Sequence, residues 1–218
     1  MKLSIFTLLF FLSIYPFVNS QTNLFIPVAL SGNSIDLNLQ TGTTNFFSGI
    51  TTNTMGANGN LLGPTIILEQ NQSVTMNVQN NLPDTTTIHW HGQRLPNGMD
   101  GVTGLTQPTI PPGKTFVYEF VARRPGTFMY HPHADELLQQ AFGMMGLFIV
   151  HPRDGEKRPI DRDYGILLQN WALHPGTYRP DPFVMQAFDL WSFNGKVFPA
   201  TAPLVARTGE RVRIRLGN

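Results

Sequence analysis

The chain has 218 residues, with 15 Lys plus Arg against 14 Asp plus Glu, a formal charge of +1 and only 13% charged residues. No basic stripe or run occurs, so nucleic-acid binding has no electrostatic footprint. Cysteine is absent, which excludes disulfides, a Cys-linked lipid anchor and a self-contained blue-copper site, whose metal needs a thiolate.

Residues 1–20 open with Lys2, continue with an apolar stretch from Leu3 to Val18, and close on the small-residue pattern Val18-Asn19-Ser20. This predicts a secretory signal peptide cut before Gln21, and hence an exported protein, periplasmic or extracellular. Pro16 and the lack of a charged stop-transfer run argue against a membrane anchor. No later apolar run is long enough to span a bilayer.

Period-2 apolar patterns then recur between turn signals. "SIDLNLQTG" (34–42) alternates Ile35, Leu37 and Leu39, and "TIILEQ" (65–70) follows Gly63-Pro64. "SVTMNVQN" (73–80) alternates Val74, Met76 and Val78, and "TIHWHG" follows a Leu-Pro-Asp turn. "TFVYEFVA" (115–122) follows "PPGK", and "GTFMYHPH" and "GLFIVHP" complete a first unit near residue 152. "ADELLQQAF" (134–142) has room for one or two helical turns. Short strands at this spacing predict an all-β domain, a β-sandwich or Greek-key barrel, over 21–152.

"HPRDGEKRPIDRD" (151–163) is charged and unpatterned, and a linker is expected over 153–163. "YGILLQNW" (164–171) starts a second unit. "PLVARTGERVRIRLGN" (203–218) lies without gaps over "TIILEQNQSVTMNVQN" (65–80). Each has an apolar triplet, a polar turn and an alternating strand ending in Asn, the pattern of an internal repeat. If the repeat is real, 164–218 is expected to be the start of a second domain, truncated in this chain.

Four of the six histidines fall in two His-x-His pairs, His89/His91 and His131/His133. On a strand, residues i and i+2 share a face, so each pair is a fork and Trp90 turns the other way into the core. Imidazole nitrogen without thiolate favours copper or zinc over magnesium or calcium, which prefer oxygen. Met144 and Met145 sit in an apolar strand pattern and read as core. His151 and His174 precede prolines in loop-like segments and read as ordinary surface residues. Asp100, in "GMDG", reads as a turn residue before glycine, and Asp135 and Glu136 as the start of a helix.

"TIHWHGQRLPNGMDG" and "GTFMYHPHADELLQQAFGMMGLFIVHP" resemble the first two copper-binding motifs of the multicopper oxidases. The resemblance covers most of residues 60–152 and continues more loosely to the end of the chain. It implies cupredoxin-like β-sandwiches, and copper as cofactor. It implies that His89 binds a type 2 copper, that His91 and His131 share one type 3 copper, and that His133 reaches the other. Asp100 then resembles the family acid that helps deliver protons to oxygen. The partners implied are O₂ and a small electron donor, a metal ion or a phenol-like organic.

The family's remaining ligands come from a His-Pro-x-His-type motif and a His-Cys-His motif, and neither occurs here. The type 1 copper site is therefore missing too, and this chain by itself is expected to be inactive. The missing half would come from further chain or from another copy in an oligomer. The alternative is a non-catalytic periplasmic copper-binding protein that uses the four histidines alone.

Overall fold

A computed structural model describes residues 27–184, 186–201 and 203–218. The expected signal peptide lies outside them. Among the described residues no helix is long and apolar enough to cross a membrane.

Nine strands form the first unit: β1 (Ala29–Leu30), β2 (Ser34–Phe47), β3 (Ile50–Ala57), β4 (Thr65–Glu69), β5 (Ser73–Asn80), β6 (Ile88–His91), β7 (Thr115–Val121), β8 (Gly126–Pro132) and β9 (Gly146–His151). They make two sheets, in the orders β3-β2-β5-β7 and β1-β4-β9-β8-β6. Alternation decides which side chains face inward. Ile35, Leu37 and Leu39 of β2 and Val74, Met76 and Val78 of β5 meet Ile66, Leu68, Phe148 and Val150 of the opposite sheet in one core. Burying each such aliphatic side chain is worth about 1.5–3 kcal/mol. The sequence reading of an all-β sandwich agrees with this architecture.

Trp90 sits at the centre, fully buried, with ring contacts to Tyr118, Phe120, Tyr130 and Phe148. Two buried tyrosines tie strands to the frame. Tyr118 of β7 reaches across the core, and its oxygen accepts a hydrogen bond from the Ile88 amide at 3.0 Å. Burial pushes the Tyr118 hydroxyl up to about 12, even though the Ile88 hydrogen bond opposes the shift. Tyr130 donates to the Pro64 carbonyl at 2.8 Å, and burial raises its pKa as well.

Three more strands follow: β10 (Arg162–Trp171), β11 (Leu190–Phe193) and β12 (Val212–Gly217), in the order β11-β10-β12. One face of this sheet packs on the first unit. Leu167 joins Leu62, Met145 and Leu147, and Trp171, Leu190 and Val197 close around Phe46. Arg215 donates to Thr127 Oγ1 at 2.7 Å and is held in turn by Asp163 at 2.9 Å. Leu204, Val205 and Ala206, the apolar triplet of the repeat, form no strand. An apolar triplet needs a neighbouring strand to hydrogen-bond its backbone, and none is paired with it among the described residues.

Candidate metal centre

β6 carries His89 and His91, β8 carries His131, and His133 follows directly at the end of β8. The strands pair antiparallel, with His89 opposite His131 and Trp90 opposite Tyr130. Register therefore does two things at once. It sends the two aromatic residues into the core and brings both forks onto the outer face of the sheet.

The His89 ring lies 5.4 Å from those of His91 and His131 and 5.5 Å from that of His133, centroid to centroid. One ring nitrogen from each of His89, His91 and His131 falls within 4.8 Å of the others. His91 Nδ1 and His131 Nε2 are 3.2 Å apart. Nitrogens that each reach a transition metal at about 2.0–2.1 Å are separated by about this distance at a bite of roughly 100°.

The second nitrogen of a metal-binding imidazole usually donates to a carbonyl or carboxylate, which fixes the tautomer. Half-buried His89 and buried His131 both obey this. His89 Nδ1 donates to the Asp100 carbonyl at 2.6 Å, and His131 Nδ1 donates to the Pro132 carbonyl at 3.0 Å. Each ring then presents a bare Nε2. Burial lowers the pKa of His131 below its usual value, opposed by the Pro132 hydrogen bond, and the nearby His89 lowers it further. A ligand must be neutral to bind metal, so the direction suits the task.

The Asp100 carbonyl reaches His89 because of Gly101. That glycine has φ of +83°, and a Cβ there would collide with the Ile88 carbonyl. "GMDG" is thus a turn pressed against β6, and the turn reading of Asp100 is correct for its backbone. Its side chain also stands beside the site, with Oδ1 3.6 Å from His89 Nδ1.

Helix α1 (Glu136–Ala141) borders the cluster. Buried Gln139 anchors it, accepting from Thr86 Oγ1 at 2.7 Å and donating to the Thr85 carbonyl at 3.0 Å. Glu136 and Gln140 face the histidines. Glu136 Oε1 is 3.9 Å from His131 Nδ1 and Oε2 is 3.8 Å from His133 Nε2. In the sequence Glu136 reads as a helix-start residue more readily than as a proton-transfer group. The available signal was its spacing, three residues after His133 on a predicted helical turn.

His91, His131, Glu136 and Gln140 form one wall of a cleft of about 460 Å³, and Leu168 and Asn170 of β10 form another. The remaining histidines stay apart: His151 lies 3.8 Å from Glu156 and His174 lies 3.2 Å from Asp181. Met144 and Met145 are buried, 2% and 8% exposed, in keeping with a core role.

A family model described as "Multicopper oxidase" matches residues 38–155. Copper resistance protein A of Escherichia coli is 36% identical over 71% of this chain, which corresponds to 25% of that protein. An L-ascorbate oxidase of Cucurbita pepo var. melopepo is 40% identical over 54% of this chain and 22% of its own length. Among solved structures, the blue copper oxidase from Nitrosomonas europaea superimposes with a TM-score of 0.75 and 32% identity, covering 84% of this chain and 59% of that one. The chain spans about a quarter of the length of the curated relatives it matches. Sandwich, paired forks and family match converge: this chain belongs to the multicopper oxidase family.

Proposed function

We propose that this chain supplies half of the ligands of a trinuclear copper centre in an exported oxidase, one that couples one-electron oxidation of a small donor to reduction of O₂ to water. The observation that carries the reading is the 3.2 Å approach of His91 Nδ1 to His131 Nε2 across the β6–β8 pair, with His89 beside them. His89 would hold the type 2 copper, His91 and His131 one type 3 copper, and His133 the other. Copper held there would relay to O₂ the electrons taken one at a time from the donor. The chain's own residues do the rest. The Asp100 and Pro132 carbonyls set the tautomers of His89 and His131. The Asp100 carboxyl, whose Oδ1 lies 3.6 Å from His89 Nδ1, would pass protons toward oxygen. The donor is a metal ion or a phenol-like organic.

The second sheet would open a second cupredoxin-like domain after a linker at 153–161, two residues shorter than expected because Arg162 and Asp163 already pair with β12. Its central strand is antiparallel to one neighbour and parallel to the other, as β2 is to β3 and β5. Ligands for the other half of the centre would come from further chain or a second copy.

The zero cysteine count favours one other reading, a copper-binding module without oxidase activity. Copper titration, followed by an oxygen-consumption assay on the protein or assembly that completes the ligand set, separates the two. On either reading the wild type binds copper and a His91→Ala/His131→Ala variant loses most of it. Copper binding unchanged in that variant would sink the site assignment. Oxygen uptake by the loaded protein, with a phenol-like or cuprous donor, would overturn the non-catalytic reading.

A further inference from the structure

We propose that Glu136 is a positioning residue of the histidine cluster, one carboxylate that holds the rings of His131 and His133 in place together. The inference rests on the reading that these histidines bind copper.

The geometry is specific. The two carboxylate oxygens face different rings, Oε1 toward His131 Nδ1 at 3.9 Å and Oε2 toward His133 Nε2 at 3.8 Å. These separations exceed a direct hydrogen bond. They suit a charge contact or a single bridging water. The carboxylate is itself fixed, because Gln140 Nε2 donates to Oε1 at 2.9 Å and also lies 3.2 Å from His131 Nδ1. Glu136 and Gln140 are an i,i+4 pair on one helix face, and Gln139 pins that helix to the segment that leads into β6. The two rings stack at 26° with centroids 6.2 Å apart, and the carboxylate spans their edges. A negative group between two ligands assigned to different coppers would orient both rings and offset the charge of the metals. Outer groups of this kind typically change metal affinity by about 10–100-fold.

The test uses the whole chain, metal-free, titrated with Cu(II) against a competing chelator and followed by electron paramagnetic resonance. Glu136→Gln keeps the size of the side chain and removes its charge, and Glu136→Ala removes both. Glu136 is 42% exposed, so both variants should unfold at the wild-type temperature without copper. The expected result is copper binding about tenfold weaker in Glu136→Gln, at least as weak in Glu136→Ala, and a changed Cu(II) hyperfine pattern in both. Wild-type affinity in both variants overturns the proposal. So does weaker binding with an unchanged spectrum, since that would be bulk electrostatics without positioning. The His91→Ala/His131→Ala variant runs alongside. If it loses copper while the Glu136 variants keep it, only the role of Glu136 is wrong. If it too keeps copper, the histidine reading has failed and the proposal falls with it.

Discussion

The strands β3, β2 and β5 and the strands β11, β10 and β12 share one design in different surroundings. In the first set Ile35 lies opposite Met76, Leu37 opposite Val78 and Leu39 opposite Ala57. In the second, Tyr164 lies opposite Ile214, Ile166 opposite Leu216 and Leu168 opposite Phe193. Strand direction and register correspond throughout. Burial does not. Val74, Met76 and Val78 are 3%, 0% and 0% exposed, whereas Val212, Ile214 and Leu216 are 40%, 52% and 61% exposed. The first sheet has β1-β4-β9-β8-β6 lying over its apolar face, and the described residues place no sheet over the second. Alternation is enough to build a strand. Only an opposing sheet turns the same alternation into core.

A buried charge distinguishes the two sheets most directly. Val78→Asp should destabilise the first unit by more than about 4 kcal/mol, because an unpaired carboxylate in the core has no partner. Leu216→Asp, at the equivalent position, should stay within about 0.5 kcal/mol. Urea denaturation of both variants checks this. Equal losses would show that the second face is covered in solution.

A cavity sharpens the same contrast within the second sheet. Leu167 points toward the first unit and is 2% exposed, packed with Leu62, Met145 and Leu147. Leu167→Ala should cost about 2–4 kcal/mol. Ile214→Ala, on the open face, should cost less than about 1 kcal/mol. Hydrogen exchange in β10 should report the first change and ignore the second.

The smallest effect concerns acid. Burial by itself would raise the Asp163 pKa, but hydrogen bonds from Arg213 and Arg215 outweigh it and hold the carboxyl down at about 2 against an ordinary 3.8. A folded pKa below the unfolded one adds stability that is fully present above the unfolded value. That stability fades as pH falls from about 3.8 toward 2. Because Asp163 is partly exposed, solvent screening reduces its contribution to about 1 kcal/mol. Contacts of the second sheet should therefore weaken in this window, and Asp163→Asn should remove the Asp163 share of that dependence. Thermal melts from pH 5 to pH 2 would show it.

Much of the fold was legible because its strands alternate. The alternating pattern of β5 coincides with the strand's bounds, and the patterns of β4, β7, β8 and β9 match theirs to within about two residues. β3 was not read, since "ITTNTMGA" offers little apolar signal. Its inward positions include Thr52 and Thr54, which are 0% and 1% exposed. β2 runs on to Phe47, past the expected end at Gly42, because β3 pairs with it over that stretch. The forks were legible from the i, i+2 rule. Their meeting depends on which strand lies next to β6, and spacing alone does not encode that. Glu136 and Gln140 escaped notice for a related reason. Their importance comes from where α1 lies against β8, and in sequence they look like any polar pair on a short helix.

The pairing of β6 with β8 also bears on how the chain reaches its native state. His91 and His131 are forty positions apart, yet their ring nitrogens approach within 3.2 Å. A contact of that span forms only after a long loop has closed, which is an entropically slow event. No single hairpin or helix of the nascent polypeptide holds both forks. The cluster can therefore take shape only when the sandwich closes, and a collapsed but unpaired chain would present its histidines singly. Copper capture at native geometry would then report completed folding, with the metal arriving last and stabilising only the folded species.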